Sequence, residues 1–191
     1  AVGPEYAVAW LDHLAARHGA DWFERSWFAL DNEPNYWADT HRDVHPQPHT
    51  YDELWSYTLA YSLALRAAHP KLRLAGPDYT GFQALTDPVD RERGDSIPFL
   101  EAFVSDLGEY ERSHGGTRLL DVLDIHCYPE GEWDASHLDP AADHMMRMRL
   151  TRELWDESFY IESWLARPAF YLRWARQLIA THAPWLNLSC T

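Results

Sequence analysis

Positive charge is scarce in this chain. Its 191 residues carry 16 Lys and Arg against 30 Asp and Glu, a net charge of −14. Phosphate backbones and anionic membranes are held by clustered basic side chains, so neither nucleic acid nor a membrane surface fits as a partner. A neutral polymer does. Cysteine is nearly missing as well: Cys127 and Cys190 form no metal-type pair and leave the redox compartment undecided. No apolar run is long enough to span a bilayer. No Gly-rich phosphate loop follows a strand-like segment, which weakens a dinucleotide-binding fold. The opening AVGPEYAVAW has neither an initiator Met nor the layout of a signal peptide, so the chain is expected to be an internal segment.

What is present is a globular composition, 46% hydrophobic and 24% charged, over a length suited to one domain with a real core. Ten Trp and ten Tyr are more than such a core usually needs. Some of these rings are therefore expected at a surface, where flat sugar faces stack well; the alternative is a Trp-rich interior.

Hydrophobic periodicity lays out the elements. Tyr6, Trp10, Leu11 and Leu14 recur at helical spacing and Gly19 ends that helix. Ser26 to Leu30 is expected to be a short buried strand, and the three prolines of the following loop exclude a regular element there. Thr50 with Glu53 forms a capping box for a helix carrying Trp55, Leu59, Leu63 and Ala67 and closing before Pro70. LRLAGPDYTG is the second strand, stopped at Gly76-Pro77. Pro98 starts a helix with Phe99, Phe103, Leu107 and Tyr110 on one side, ended by Gly115-Gly116. LLDVLDIHCYPEG is the third strand, with Val122, Asp124 and His126 alternating against Leu123 and Ile125. A long irregular stretch runs from Gly131 to about Arg167. Pro168 then opens a helix, and LNLSCT is the fourth strand.

Helices alternating with strands imply a parallel sheet with right-handed crossovers. Each strand ends in a polar or Pro-containing loop, and function gathered at the C-terminal strand ends is the habit of the (β/α)8 barrel. A full barrel takes roughly 250 residues. Four strands make about half of one, so residues 1–191 are expected to be a single incomplete α/β barrel domain.

Two clusters carry chemistry. In WFALDNEPNYW, Glu33 sits directly past a strand end between Asn32 and Pro34. A carboxyl there can serve as a general acid, and burial beside a cleft is the usual means of keeping a proton on one. The competing reading is an Asx-type turn. The second cluster is Asp124, His126, Tyr128 and Glu130: His126 stands near the barrel mouth within reach of a sugar hydroxyl, or else is an interior histidine paired with Asp124. His41, His45 and His49 are spaced by four, but Pro46 and Pro48 break any helix that would align them on a metal. Trp164, in YIESWLA, is a loop anchor or a sugar platform.

ALDNEPNYWADTHRDVHPQPHTYDEL, GPDYTG, LDVLDIHCYPEG and RMRLTRELWDESFYIESWLA together resemble glycoside hydrolase family 44 over nearly the whole chain. Asn-Glu-Pro alone marks the wider barrel-glycosidase clan; Thr-His-x-x-x-His-Pro and Leu-Trp-Asp-Glu-Ser are more particular. The resemblance implies a secreted, retaining endo-β-1,4-glucanase or xyloglucanase, monomeric, with a (β/α)8 barrel and an attached β-sandwich. It implies no organic cofactor; it leaves room for a structural cation, which the sequence does not locate. It maps the four strands to the fourth to seventh of the barrel and makes Glu33 the acid/base. Asn32 would contact the sugar at the cleaved bond, with Trp37, His126, Tyr128 and Trp164 as further substrate contacts. Cys127 stands where the resemblance leads one to expect an aromatic. The family's nucleophile, a Glu after a Thr at the seventh strand end, would be the residue after Thr191. A different class also fits: a non-catalytic carbohydrate-binding barrel that keeps the aromatic cleft. A third reading, a metal-dependent hydrolase built on the histidine triplet, needs bound zinc.

Overall fold

The computed structural model describes residues 3–92, 94–129, 131 and 140–191. In chain order the elements are α1 (Pro4–His18), β1 (Trp27–Ala29), α2 (Trp37–Thr40), α3 (Tyr51–Ala68), β2 (Arg73–Thr80), α4 (Phe82–Thr86), β3 (Pro88–Asp90), β4 (Ser96–Pro98), α5 (Phe99–Ser113), β5 (Val122–His126), α6 (Pro140–Leu150), α7 (Tyr171–His182) and β6 (Asn187–Cys190). They fall into two units. One holds the residues up to His126 together with Leu178–Thr191, the other Cys127–Gln177.

The first unit is built on a four-stranded sheet in the order β1-β2-β5-β6, parallel throughout. Leu74, Leu120, Leu123 and Ile125 are fully buried in and beside its strands, and Phe99 and Phe103 of α5 are equally buried. The Tyr79 ring lies flat on Phe99, centroids 3.8 Å apart. All five residues of β5 are buried. The alternation along this strand therefore separates two covered faces, as expected of a parallel strand within an α/β layer.

Several expectations need correction. β1 is not a buried strand: it is an edge strand with Trp27 exposed on it. β2 does not stop at Gly76-Pro77 but runs on to Thr80. Its pairing shifts by one residue between Pro77 and Tyr79, leaving Asp78 as an inserted residue with φ 51. A bulge absorbs a proline within a ladder because the inserted residue needs no partner opposite it. The buried stripe of α3 is Tyr51, Leu54, Thr58, Ser62 and Leu65, while Leu63 faces out. Thr58 satisfies its hydroxyl on the carbonyl of Leu54, so small hydroxyl residues occupy a face that an apolar-only reading misses. The Pro-rich loop after β1 still accommodates a helical turn over Pro34–Tyr36 and the short α2, because Pro34 is tolerated at a first helical position. The antiparallel pair β3–β4 was not expected.

The second unit contains α6 and a further turn over Thr151–Leu154, where an irregular stretch was expected. Its small core is Phe159, Ile161 and Ala169, with Leu165 and Tyr171 packed against it. α7 begins at Tyr171, three residues after Pro168.

Candidate active site

After β1 the chain leaves the sheet, and Glu33 takes a left-handed conformation, φ 48 and ψ 57. Such a conformation costs a non-glycine residue about 1–3 kcal/mol and persists only where its surroundings enforce it. Here the enforcement is visible. The Glu33 N–H donates to the carbonyl of Asp78 at 3.0 Å, and the Tyr36 N–H donates to the Glu33 carbonyl at 2.9 Å. Asn35 fastens the same turn to the end of β2: its amide donates to the Thr80 carbonyl at 3.0 Å and accepts from the Thr80 N–H at 3.2 Å. Asn-Glu-Pro-Asn is thus a turn tied to the neighbouring strand, with its carboxylate as the exception to an otherwise structural role.

That carboxylate meets β5. Glu33 Oε1 lies 2.8 Å from Nδ1 of His126, with Glu33 a quarter exposed and the imidazole nearly buried. Asp124 and His126, two apart on one strand, share a face, and each has a hydrogen-bond partner of its own. His126 goes to Glu33, and Asp124 Oδ2 accepts the hydroxyl of Thr191 at 2.8 Å. Asp78, which the sequence reading passed over, completes the group. It is 1% exposed. Burial first, then hydrogen bonding and charge from Asp124, then Asp31, push its carboxyl up to about 8. Its signal in the sequence was an aspartate directly after Gly76-Pro77 in the strand RLAGPDYT.

The other expected contacts are placed as follows. Asn32 is exposed, with its N–H on Asp31 Oδ1 at 2.7 Å. The Trp37 ring is wedged among His45, His49 and Tyr57, with centroids 5.2, 5.7 and 6.0 Å away. With His41, His45, Tyr57 and Tyr61 it lines a pocket of about 470 Å³, whose lining does not include Glu33. Two of these histidines have different partners: His45 reaches Glu53 at 3.1 Å and His49 the Tyr79 hydroxyl at 3.3 Å. Among the described residues, the group able to hold a metal is Asp78, Asp124 and His126. In the second unit Tyr128 and Trp164 are both well exposed. Glu162 there is held by two hydrogen bonds from Arg149 at 2.7 Å, which keep its carboxyl below the usual range. Glu130 lies outside the described residues.

Residues 1–131 match the model of glycoside hydrolase family 44. The chain belongs to that family. It is 31% identical over 150 residues to Endoglucanase A of Paenibacillus lautus, a span of 72% of this chain and 21% of the relative. It is 29% identical over 144 residues to Beta-mannanase/endoglucanase A of Caldicellulosiruptor saccharolyticus, 69% of this chain and 11% of that one. Among solved structures, the family 44 endoglucanase Cel44A of Clostridium thermocellum superposes with a TM-score of 0.80 at 26% identity, covering 96% of this chain and 39% of that one. A family 44 xyloglucanase of Paenibacillus polymyxa, solved with xyloglucan, gives 0.77 at 26% identity, covering 93% and 38%. The family 44 chain described here therefore spans well under half the length of these relatives. Its parallel sheet with helical crossovers is a partial (β/α)8 barrel.

Proposed function

We propose that the full-length family 44 protein is a retaining endo-β-1,4-glucanase acting on cellulose-type glucans or xyloglucan outside the cell, with Glu33 as its general acid/base. The observation that carries this reading is Glu33 itself. It is a carboxylate on an enforced left-handed turn past a barrel strand, partly open to solvent, with its Oε1 against His126. In the first step the Glu33 carboxyl gives its proton to the glycosidic oxygen. A second carboxylate attacks the anomeric carbon, and the leaving sugar departs as an alcohol. In the second step the Glu33 carboxylate takes a proton from water, whose oxygen displaces the enzyme carboxylate. An Nδ1–H on His126 stabilises Glu33 while it is charged, between the two steps. The family resemblance assigns Asn32 to the sugar at the cleaved bond, and Trp37, Tyr128 and Trp164 to further contacts with the polysaccharide.

The second carboxylate is assigned by family resemblance to the position after Thr191. The 191-residue chain by itself should therefore not turn over carboxymethylcellulose or xyloglucan. Turnover blocked by Glu33→Ala would mean that another carboxylate serves, with Glu162 and Glu130 the first to test. In the full-length protein, Glu33→Gln should lower polymer hydrolysis by roughly 10²–10⁴-fold while leaving binding nearly intact, since the amide keeps the shape but not the transferable proton. Substrates with a very good leaving group should lose less in the first step. Hydrolysis of polymer at the wild-type rate by the variant would remove Glu33 from the mechanism. Polymer binding without turnover in the unsubstituted full-length protein would favour a carbohydrate-binding barrel.

A further inference from the structure

Asp78 and Asp124 present an electrostatic problem that the hydrolytic reading leaves unsolved. Both carboxylate oxygens of Asp78 and Oδ1 of Asp124 are buried with no N–H or O–H donor on them and face only each other's carboxyl group; the two residues are 1% and 6% exposed. Two buried carboxylates side by side do not both stay ionised; a proton or a cation has to neutralise them. The geometry points to the cation. One ligand-type atom from each of Asp78, Asp124 and His126 lies within 4.8 Å of the others, so a modest inward adjustment would bring them to the roughly 3.4 Å that separates ligands about a tetrahedral ion with bonds near 2.0–2.2 Å.

Two further features match a metal site better than a shared proton. Two of the three residues already have outer partners: Nδ1 of His126 lies 2.8 Å from Glu33 Oε1, and the Thr191 hydroxyl donates to Oδ2 of Asp124 at 2.8 Å. Carboxylates on the far nitrogen of an imidazole and hydroxyls on ligating carboxylates are the outer partners that fix metal ligands in place. The backbone also departs from regular pairing to bring the third ligand in, since Asp78 is the inserted, left-handed residue of the β2 bulge. A shared proton needs only the two aspartates and gives the imidazole no part.

We propose that Asp78, Asp124 and His126 form a divalent-cation site in the barrel interior, selective for zinc or manganese. The imidazole nitrogen favours zinc, the two carboxylates also accept manganese, and calcium and magnesium prefer oxygen ligands throughout. The cation neutralises the aspartates, fixes the His126 ring against Glu33, and anchors Thr191 at the end of β6 through Asp124. The site does not depend on which polysaccharide the protein cleaves, or on its cleaving one.

The test uses the untagged full chain, stripped with EDTA and titrated calorimetrically with Zn²⁺ and with Mn²⁺. The chain should take up one zinc, unchallenged by excess Ca²⁺. Asp78→Asn has the shape of the neutral acid and should fold, but should lose at least the roughly tenfold affinity typical of disturbing a metal's partners; Thr191→Val should lose roughly tenfold as well. Cobalt reads the ligand set in the unsubstituted chain: visible d–d bands that shift in Thr191→Val would place the ion here. Absence of stoichiometric uptake, or zinc affinity unchanged in Asp78→Asn, would overturn the proposal and leave the aspartates sharing a proton.

Discussion

His45 and His49 stand four residues apart in one loop, yet their surroundings push them in opposite directions. The hydrogen bond to Glu53 is the main cause raising His45 above 6.5, while burial lowers His49 below it. The raised group contributes stability that is fully present below pH 6.5 and fades as pH rises through its folded value. The lowered group contributes stability present above 6.5 that is lost as pH falls through its own folded value. An NMR titration of the histidine ring protons should therefore find His45 titrating last of the two as pH rises, and Glu53→Gln should bring it down toward His49. Identical midpoints would show that neither contact persists in solution. The sequence made Glu33 legible, because a carboxylate between Asn and Pro at a strand end is locally unusual. The destination of His126 was not legible. Its nearest polar neighbour in sequence is Asp124, whereas its partner lies 93 residues away across the sheet, and only the strand order brings the two together.

Elements with local signals were legible, and those settled by packing were not. The capping box of α3 is there, with the Glu53 N–H on the Thr50 hydroxyl at 3.1 Å, because both partners lie within one turn. The same helix buries Thr58 and Ser62, a choice set by what lies against them rather than by hydrophobicity. β2 passes through Gly76-Pro77 because the bulge at Asp78 lets it, which no residue count along the strand foretells. Gly108 on α5 shows packing overriding propensity in a testable way. A Cβ at this position would collide with the backbone carbonyl of His182 at the end of α7, the same carbonyl that accepts from Arg112 at 3.1 Å. Gly→Ala inside a helix ordinarily gains about 1 kcal/mol. Here Gly108→Ala should instead cost roughly 1–3 kcal/mol, the range for forcing atoms into a packed site. Urea unfolding decides the sign: a midpoint higher than that of the unsubstituted chain would mean that the end of α7 gives way freely.

At the scale of the whole molecule, the parallel order was legible from the alternation of elements, and its consequence is a sheet with two edges. β1 and β6 each pair with one neighbour among the described strands. A closed barrel removes every edge by pairing its first strand with its last, whereas an open edge offers unpaired N–H and C=O groups to another chain. The edges here are short, three and four residues, which blunts the hazard. Their side chains sharpen it: Trp27 on β1 is 49% exposed, with Arg73 stacked 5.2 Å from its ring, and Cys190 ends β6 in the open. Leu188 on the same strand is only half-buried. Tyr6 and Trp10 on α1 add further exposed aromatic surface. A charge of −14 opposes association at long range, but the repulsion is screened within about 8 Å at physiological salt, leaving edge contacts to decide. The isolated chain should therefore self-associate at micromolar concentration, more strongly as salt is added. Trp27→Lys, which puts a charge on the edge in the manner of natural edge strands, should shift it toward monomer. Sedimentation velocity over a concentration series gives the answer. A monomer at all concentrations, with one sharp thermal transition, would mean that the chain closes its own edges and that the barrel interior is complete without further strands.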